Sequence, residues 1–290
     1  MPGRDGDDEA RPLTAGEVAR WEEDGYLLLE DQIPLEEIEL TRRILRHDRD
    51  FLEAEIDQID DEGRRARQSW RLWELPEGDV YAAFARHPAI VRRLEQLMGA
   101  RVFHYHHKMI LKEKGTAGSW LFHQDYVRSR LPSAPSHHQP PRPAHAAAAQ
   151  GYWHSQFARP LLASCMIALR STSRANGCLS VLRGSHKSGR LEHGQVGQRL
   201  DQVGAETRRV ELLAEHCPLT PMEMEPGSLL FFHCNLVSPA TVDLGWDCCR
   251  DSDGRCLLRT APQLRPQPQR PAGHAANLLL RDRRQPALPA

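Results

Sequence analysis

The segment His123-Gln124-Asp125 has the residue types and the spacing that most directly suggest chemistry. On a β-strand, residues two apart point to the same face, so His123 and Asp125 would offer an imidazole and a carboxylate to one point. Two such ligands and a distant histidine form the facial triad that binds Fe(II) and leaves coordination positions open. An ordinary surface pair would show the same spacing, so the assignment depends on the residues around it.

Other metal-binding patterns in the sequence are weaker. The chain has seven cysteines, an odd number at irregular spacing, which argues against a disulfide framework and for free thiols in a reducing compartment. Cys248, Cys249 and Cys256 lack the paired C-x-x-C spacing of a zinc site. His104 and His106 would share a strand face as a zinc pair, but no third ligand lies near them in the sequence. A plain strand accounts for these two histidines.

Charge and hydropathy exclude several classes of protein. The 38 basic and 39 acidic side chains among 290 residues give a net charge of −1, so the chain lacks the electrostatic footprint of a protein that binds nucleic acid or an anionic membrane. No apolar run reaches the length of about 18 residues that spans a bilayer. The start, Met1 to Arg11, is polar and acidic, unlike a secretory signal, and we therefore expect a cytoplasmic protein.

The N-terminal elements are predicted from capping and turn signals. Thr14 and Glu17 form a capping-box pattern, so a helix should begin there and end at Gly25. A short apolar strand should follow over residues 26–29. Pro34 then favours the start of a second helix, because apolar residues recur after it at helical spacing.

The sequence pattern changes from helices to strands along the chain. Residues 79–98 are predicted to be helical, whereas 101–112 and 161–169 have the alternating or continuously apolar pattern of strands. The Asn-Gly pair at 176–177 lies between two apolar runs and predicts a hairpin. Residues 228–233, after a Pro-Gly turn, predict a further strand. Helices followed by many short strands indicate an α+β, mainly β protein, built as an antiparallel barrel or jelly roll with N-terminal helices.

Two stretches have a composition that does not suit a packed core. Residues 127–150 contain five prolines and no acidic residue, and residues 237–290 contain seven prolines and eight arginines. Such segments bury too little apolar area to offset their ordering entropy. We therefore expect a single domain over 11–236 with a disordered insert at 127–150. The N-terminus, 1–10, should be disordered, and the tail from 237 onward disordered or aberrant.

Five runs of sequence together resemble the phytanoyl-CoA dioxygenase family, and most closely its ectoine-hydroxylase-like branch. They are Gly118–Tyr126, Gly151–His154, Ala163–Leu169, Ala175–Lys187 and Glu225–Leu236. The resemblance covers residues 10–126 and 151–236, and excising the insert restores the family's register without a gap. It implies a double-stranded β-helix (a cupin-like jelly roll), Fe(II) as the metal and 2-oxoglutarate as co-substrate. The reaction that it implies is hydroxylation of a small organic or acyl substrate with O2, and it leaves the oligomeric state open.

The resemblance also implies roles for individual residues. His123 and Asp125 are similar to the family's first two metal ligands. Trp153 corresponds to an aromatic residue beside the iron and 2-oxoglutarate, with a core tryptophan as the alternative. Lys112 is placed like a lysine of some relatives, and Lys108 would share its strand face. Both lysines are candidates for binding 2-oxoglutarate, with a solvated lysine at a strand edge as the alternative.

The sequence departs from the family pattern after residue 236. The position expected for the third metal ligand holds Ser238, and no strand with the expected arginine for the distal carboxylate of 2-oxoglutarate is recognisable. Arg250 lies at a plausible distance along the chain, and His233 is the nearby candidate for the third ligand. The chain as written would then bind metal weakly. A catalytically inactive relative or a non-catalytic binding protein is the alternative to an active enzyme, and the predicted jelly roll would be incomplete at its C-terminus.

The genetic code suggests an origin for the two stretches, 127–150 and 237–290, whose composition does not suit a packed core. Residues 127–129 and 237–238 can be encoded by sequences that resemble intron donor sites. We interpret 127–150 as an in-frame retained intron and the C-terminal tail as read-through. Loss of the closing strands predicts open sheet edges near 166–169 and 228–234, and a chain that aggregates.

Overall fold

The computed structural model of the protein describes residues 11–53, 55–59, 65–73, 78–113, 121–125, 162–195, 203–239 and 255–266. The helices within these ranges are α1 (Ala15–Asp24), α2 (Leu35–Leu45), α3 (Arg49–Leu52), α4 (Val80–Ala85), α5 (Pro88–Met98) and α6 (Thr207–Ala214). The strands are β1 (Tyr26–Leu29), β2 (Glu55–Ile59), β3 (Arg65–Trp73), β4 (Val102–Glu113), β5 (Ala163–Ala168), β6 (Ser180–Leu182), β7 (His193–Gln195), β8 (Val203–Ala205), β9 (Leu219–Pro221), β10 (Leu229–His233) and β11 (Arg255–Pro266). None of the helices in the described ranges combines the length and the apolar character that crossing a membrane requires.

Helix α1 begins and ends as predicted. The Thr14 hydroxyl accepts from the N–H of Glu17, and the Glu17 carboxylate accepts from the N–H of Thr14, which completes the capping box. Arg11 adds an ion pair with Glu17 at 2.6 Å. Gly25 ends the helix in the left-handed conformation, with φ at +78°. A Cβ at this position would collide with the His186 ring, so the site requires glycine for space as well as conformation.

A seven-stranded antiparallel sheet forms the centre of the fold, in the order β1-β10-β5-β11-β4-β3-β2. Two smaller antiparallel pairs, β6–β9 and β7–β8, complete the described strands. Helices in the N-terminal part followed by antiparallel strands confirm the prediction of a mainly β protein with N-terminal helices. Several described elements are additions to the predicted ones, namely helices α3 and α6 and strands β2, β3, β7, β8, β9 and β11.

Strands β5 and β10 of the central sheet are buried on both faces, and their side chains alternate between the faces. On the helix-facing side, Cys165, Ile167, Leu229 and Phe231 belong to one cluster with residues of the N-terminal helices. The opposite, inner face belongs to a second cluster, formed by Met166, Ala168, Leu230 and Phe232 of the central sheet with Leu179, Val181, Met222 and Met224. Each strand residue can therefore be assigned to one face by its register.

Strand β11 lies between β4 and β5, which differs from the expected tail without β structure. It pairs antiparallel with both neighbours, and β10 is likewise paired on both sides, by β1 and β5. The prediction of open edges at 166–169 and 228–234 is therefore wrong. The Cys-Leu-Leu-Arg-Thr run at 256–260 suits a strand, and Pro262 falls at a register shift, where a strand tolerates proline.

The fold also continues past the predicted end of the domain at residue 236. Val237 is fully buried, its N–H donates to Ser185 Oγ at 2.9 Å, and its carbonyl accepts from the N–H of Leu182 at 2.9 Å. The first residues assigned to the tail are thus part of the packed structure. The predicted insert at 127–150 and the N-terminal segment 1–10 lie outside the described residues.

Residues 79–98 are helical as predicted, in the two helices α4 and α5. They divide because Pro88 cannot continue a helix from its N-terminal side, and His87 caps the second helix. One further local prediction is corrected. The Asn-Gly pair at 176–177 makes a turn but not a hairpin. Strand β5 already has β10 and β11 as partners, and β6 pairs with β9 instead.

Candidate active site

His123 and Asp125 lie side by side on segment 121–125, with His123 Nε2 3.8 Å from Asp125 Oδ1. The Nδ1–H of His123 donates to the carbonyl of Leu121 at 2.7 Å, and this bond fixes the tautomer because a carbonyl can only accept. The Nε2 lone pair is therefore on the side of Asp125. Both side chains are largely buried, at 11% and 14% exposure. The structure thus brings together the imidazole and the carboxylate that the spacing predicts.

The electrostatic surroundings favour a neutral His123. Burial lowers the pKa of His123, and the positive charge of Lys108 acts in the same direction. The carboxylate of Asp125 and the hydrogen bond to Leu121 oppose this shift. The neutral imidazole is the form that binds a metal ion, so the site holds its nitrogen donor in the competent state.

Strand β5 holds Asp125 in place. The Ser164 hydroxyl donates to Asp125 Oδ2 at 3.0 Å. Ser164 is paired in register with Phe232 of β10, whose side chain belongs to the inner face of the central sheet. The His123–Asp125 pair is the candidate for binding a metal and is called the metal-ligand pair below; it therefore lies over this inner face.

Lys108 is the predicted co-substrate residue that the structure places near the metal-ligand pair. It lies on β4 opposite Thr260 of β11, which is in turn opposite Met166 of the inner face. Its charge is close enough to lower the pKa of the paired histidine. Lys112 is four residues after Lys108 on β4, a spacing that puts both positions on the same face of the strand. The side chain of Lys112 and the whole of Trp153 lie outside the described part of the structure.

Ser238 lies directly opposite His123. The two residues exchange backbone hydrogen bonds of 3.0 Å in both directions, which forms an isolated antiparallel bridge. In such a pair the two Cβ atoms lie about 4.5–5.5 Å apart on the same face. A side chain at position 238 therefore lies on the same face as His123, and this chain has a hydroxyl there.

The structure does not bring His233 to the metal-ligand pair. His233 is two residues after Phe231 on β10, so its side chain points to the same, helix-facing side of the sheet. The centroid of its ring lies 6.0 Å from that of Trp21 and 5.4 Å from that of His186. Among the described residues, no group of three or more His, Cys, Asp or Glu side chains is placed to hold a metal ion. Strand alternation thus corrects the prediction of His233 as the third ligand.

The described donor set fits an iron site in two of its three protein positions. A neutral imidazole nitrogen and a carboxylate oxygen are the donors that the facial triad uses. Across from His123, Ser238 offers a neutral hydroxyl, which is a weaker metal donor than an imidazole. The residues that the structure describes therefore do not complete the triad.

The alternative zinc patterns gain no support from the described residues. His104 Nε2 and His107 Nδ1 share a hydrogen bond of 3.0 Å, so His104 pairs with His107 rather than with His106. Cys248 and Cys249 lie outside the described residues, and so does Arg250.

Two residues beside the metal-ligand pair escaped the sequence analysis. Gln124 is fully buried between the two ligands, and its backbone N–H donates to Nε2 of the buried His193 at 3.0 Å. The sequence does contain a signal for Gln124, since it is a polar residue between two candidate ligands and its side chain must point to the opposite face. His193 offers no local signal, because it reaches the site from 69 positions along the chain.

The chain is similar to known ectoine dioxygenases. The chain is 24% identical to an ectoine dioxygenase from Bordetella parapertussis, over 78% of this chain and 69% of the relative. It is 23% identical to an ectoine dioxygenase from Streptomyces avermitilis, over 79% of this chain and 73% of the relative. The matched regions span most of each protein, so the similarity is not confined to one motif.

Solved structures share the fold at low sequence identity. EctD from S. alaskensis has a TM-score of 0.59 at 16% identity, covering 88% of this chain and 77% of its own. The carbocyclase SnoK from nogalamycin biosynthesis has a TM-score of 0.57 at 17% identity, covering 87% and 84%. EctD has been solved with bound Fe, and with 2-oxoglutarate and 5-hydroxyectoine.

The family model "Phytanoyl-CoA dioxygenase (PhyH)" matches residues 21–240. The chain therefore belongs to the phytanoyl-CoA dioxygenase family, a family of iron- and 2-oxoglutarate-dependent dioxygenases.

Proposed function

We propose that this chain is a hydroxylase of a small organic or acyl substrate that uses Fe(II), 2-oxoglutarate and O2 at His123 and Asp125. One observation carries the proposal: the two side chains converge in a buried site, with the histidine tautomer that presents Nε2 to a metal. In this family the iron and 2-oxoglutarate supply the oxidising chemistry. The residues of this chain would bind and orient the reactants and exclude water.

The surrounding residues have separate roles in this proposal. Ser164 fixes the carboxylate of the metal-ligand pair through its hydrogen bond. Lys108 supplies a positive charge, which suits a dianionic co-substrate such as 2-oxoglutarate. Lys112 and Trp153 stay predictions for binding the same co-substrate. The substrate class is supported by the relatives, whose names describe action on ectoine, a small molecule.

We also propose that the strands form a double-stranded β-helix within one domain. The pairs β6–β9 and β7–β8 and the His123–Ser238 bridge would supply the strands that cover the inner face of the central sheet. Residues 11–239 and β11 would then form a single domain, interrupted by the insert at 127–150.

A specific observation favours a second candidate, a catalytically inactive relative that binds small molecules. Ser238 occupies the position from which a third ligand would reach the metal, directly across from His123. A site with two protein ligands would bind metal weakly, and weak binding would remove the oxidising chemistry. The two candidates therefore differ in their affinity for Fe(II).

Turnover of 2-oxoglutarate distinguishes the candidates. Protein loaded with Fe(II) without oxygen and then given 2-oxoglutarate and O2, with ectoine as the first substrate probe, should form succinate slowly. Asp125→Ala should abolish the reaction. Thr172→Val, which removes a buried hydroxyl bonded to the Met222 carbonyl, should leave it unchanged. A wild-type protein that neither binds Fe(II) nor forms succinate would establish the inactive relative instead.

A further inference from the structure

We propose that Gln124, fixed by His193, is a positioning residue that holds the metal-ligand pair against the segment bearing Ser238. Gln124, His193 and their backbone partners are called the Gln124 network below. The inference rests on the proposed function in one respect, since it takes His123 and Asp125 to be metal ligands.

The Gln124 side chain joins three parts of the chain. It is fully buried, and its Nε2 donates to the carbonyls of Gly189 at 2.8 Å and of Asn235 at 2.7 Å. Its Oε1 accepts from the N–H of Leu191 at 2.8 Å. Both donors and the oxygen of the carboxamide are therefore used. One side chain thus ties segment 121–125 to the loop before β7 and to the chain after β10.

His193 fixes the backbone of Gln124. The ring is buried, at 5% exposure, and its Nδ1 bonds the carbonyl of Leu191 at 3.0 Å. A carbonyl only accepts, so Nδ1 carries the hydrogen and Nε2 is the acceptor for the N–H of Gln124. Both ring nitrogens are committed to backbone groups. His193 therefore lies near the metal-ligand pair without an atom to offer a metal, which makes it a positioning residue.

The Gln124 network holds both sides of the site. On one side are the two ligands that flank Gln124, and on the other is Asn235, three positions before Ser238. The hairpin β7–β8 adds further contacts, because the N–H of Ala205 donates to the carbonyl of Phe122 at 2.6 Å. Gly204 lies so close to Leu121 that a Cβ would approach it within 2.8 Å. Loss of the network should therefore loosen the His123–Ser238 bridge and the ligands together.

Four variants test the Gln124 network. Gln124→Leu keeps the side-chain volume and removes all three of its hydrogen bonds, whereas His193→Leu removes only the bonds of the ring. His193→Gln is the conservative variant, because a carboxamide can donate to Leu191 and accept from Gln124. Thr172→Val is the matched control, since its buried hydroxyl bonds the Met222 carbonyl outside the network.

Two measurements separate positioning from general stability. The first is the dissociation constant for Co(II), used alone as the metal probe because it resists oxidation in air. The second is hydrogen exchange of the His123 and Ser238 amides, each of which donates to the other residue's carbonyl. Global stability is followed in parallel by thermal melting.

We expect Gln124→Leu and His193→Leu to weaken Co(II) binding by about 10–100-fold, as losses of outer-shell partners do. Exchange of the His123 and Ser238 amides should become roughly tenfold faster in both variants, through local opening. His193→Gln and Thr172→Val should behave like the wild type in both measurements.

Unchanged amide exchange in Gln124→Leu and His193→Leu would overturn the positioning role. Equal Co(II) affinities in the wild type and in Asp125→Ala would instead refute the proposed function. Amide exchange would still decide the role of the Gln124 network in that case. If Gln124→Leu fails to fold, the comparison of His193→Leu with His193→Gln decides it.

Discussion

At position 238 a serine faces His123 across an antiparallel bridge, and its hydroxyl stands where a metal ligand would be expected. The two candidate ligands on the other strand are held in place. The histidine has its Nδ1–H bonded to the Leu121 carbonyl, and the carboxylate of Asp125 is held by Ser164. We therefore expect the metal affinity of this chain to depend strongly on the side chain at position 238.

Ser238→His should create the third ligand. The bridge places the new imidazole on the same face as His123, because directly opposed residues share a face. We expect Fe(II) to bind at least about tenfold more tightly. Loss of a residue that supports a metal site typically lowers the metal affinity by about 10–100-fold, and gain of a ligand should have the opposite effect. Anaerobic Fe(II) titration measures this, with Ser238→Ala as the control. An unchanged affinity would show that position 238 does not reach the metal.

Ser164→Ala should weaken metal binding through Asp125. The serine hydroxyl donates to Oδ2 of Asp125 at 3.0 Å, so its loss frees the carboxylate to rotate. We expect an affinity for Fe(II) about tenfold lower, at the lower end of outer-shell effects. The matched control is Ser171→Ala, whose hydroxyl donates to the Glu225 carboxylate at 2.6 Å near the surface. Equal affinities in the two variants would contradict the role of Ser164.

Residue-level prediction succeeded where it depended on strand geometry alone. The spacing of His123 and Asp125 predicts their convergence, because alternation along a strand is a local property. The prediction of His233 as the third ligand failed because it rested on the nearness of His233 to the expected position in the sequence. The alternation of side chains along β10 places His233 on the other face of the sheet. The role of His193 depends on a contact between residues 69 positions apart, which no local pattern contains.

Among the elements, β11 should be the most sensitive to a break in its backbone. Leu258 is opposite Ile110 of β4 and Ala168 of β5, so it lies in a strand paired on both sides. Leu258→Pro removes an N–H from this ladder, and each buried partner left unpaired costs about 1–3 kcal/mol. We expect a lower melting temperature and aggregation on size-exclusion chromatography. Gln267→Pro, just after the strand, is the control, and equal melting of both variants would show that β11 does not pair.

Element-level prediction succeeded for features set by neighbouring residues. The capping box at Thr14 and the turn at Gly25 were recovered because their hydrogen bonds lie within one turn of chain. The Asn-Gly pair at 176–177 predicted a turn correctly and a hairpin wrongly, since partner choice belongs to the whole sheet. Strand β11 was missed because the composition of its surroundings, rich in proline and arginine, hid a short run with strand propensity.

For the molecule as a whole, buried histidines should reduce stability in acid. Burial lowers the pKa of His104 and of His233, each to about 4, below the value of about 6.5 in an unfolded chain. Between these values the unfolded chain binds more protons than the folded one. Stability is therefore full above about pH 6.5 and falls as the pH decreases toward 4.

Urea unfolding at about pH 7.5 and about pH 5 measures this loss. We expect a lower midpoint at the acidic pH, and a smaller difference between the two midpoints in His233→Gln, which cannot take up the proton. Glu17 does not contribute in this window, because its pKa is lowered to about 2 chiefly by the hydrogen bond from Arg11. A midpoint equal at both pH values would contradict the prediction.

The central position of β11 has a consequence for biosynthesis. Among the described strands, β11 is the one that joins one half of the central sheet, β1-β10-β5, to the other half, β4-β3-β2. Residues 255–266 follow the other six strands of this sheet along the chain, so the ribosome makes them last of the seven. Until then the two half-sheets remain separate, and the edges formed by β4 and β5 stay unpaired. Closure of the sheet must wait until residues 255–266 leave the exit tunnel, so the nascent chain needs protection from aggregation up to that point.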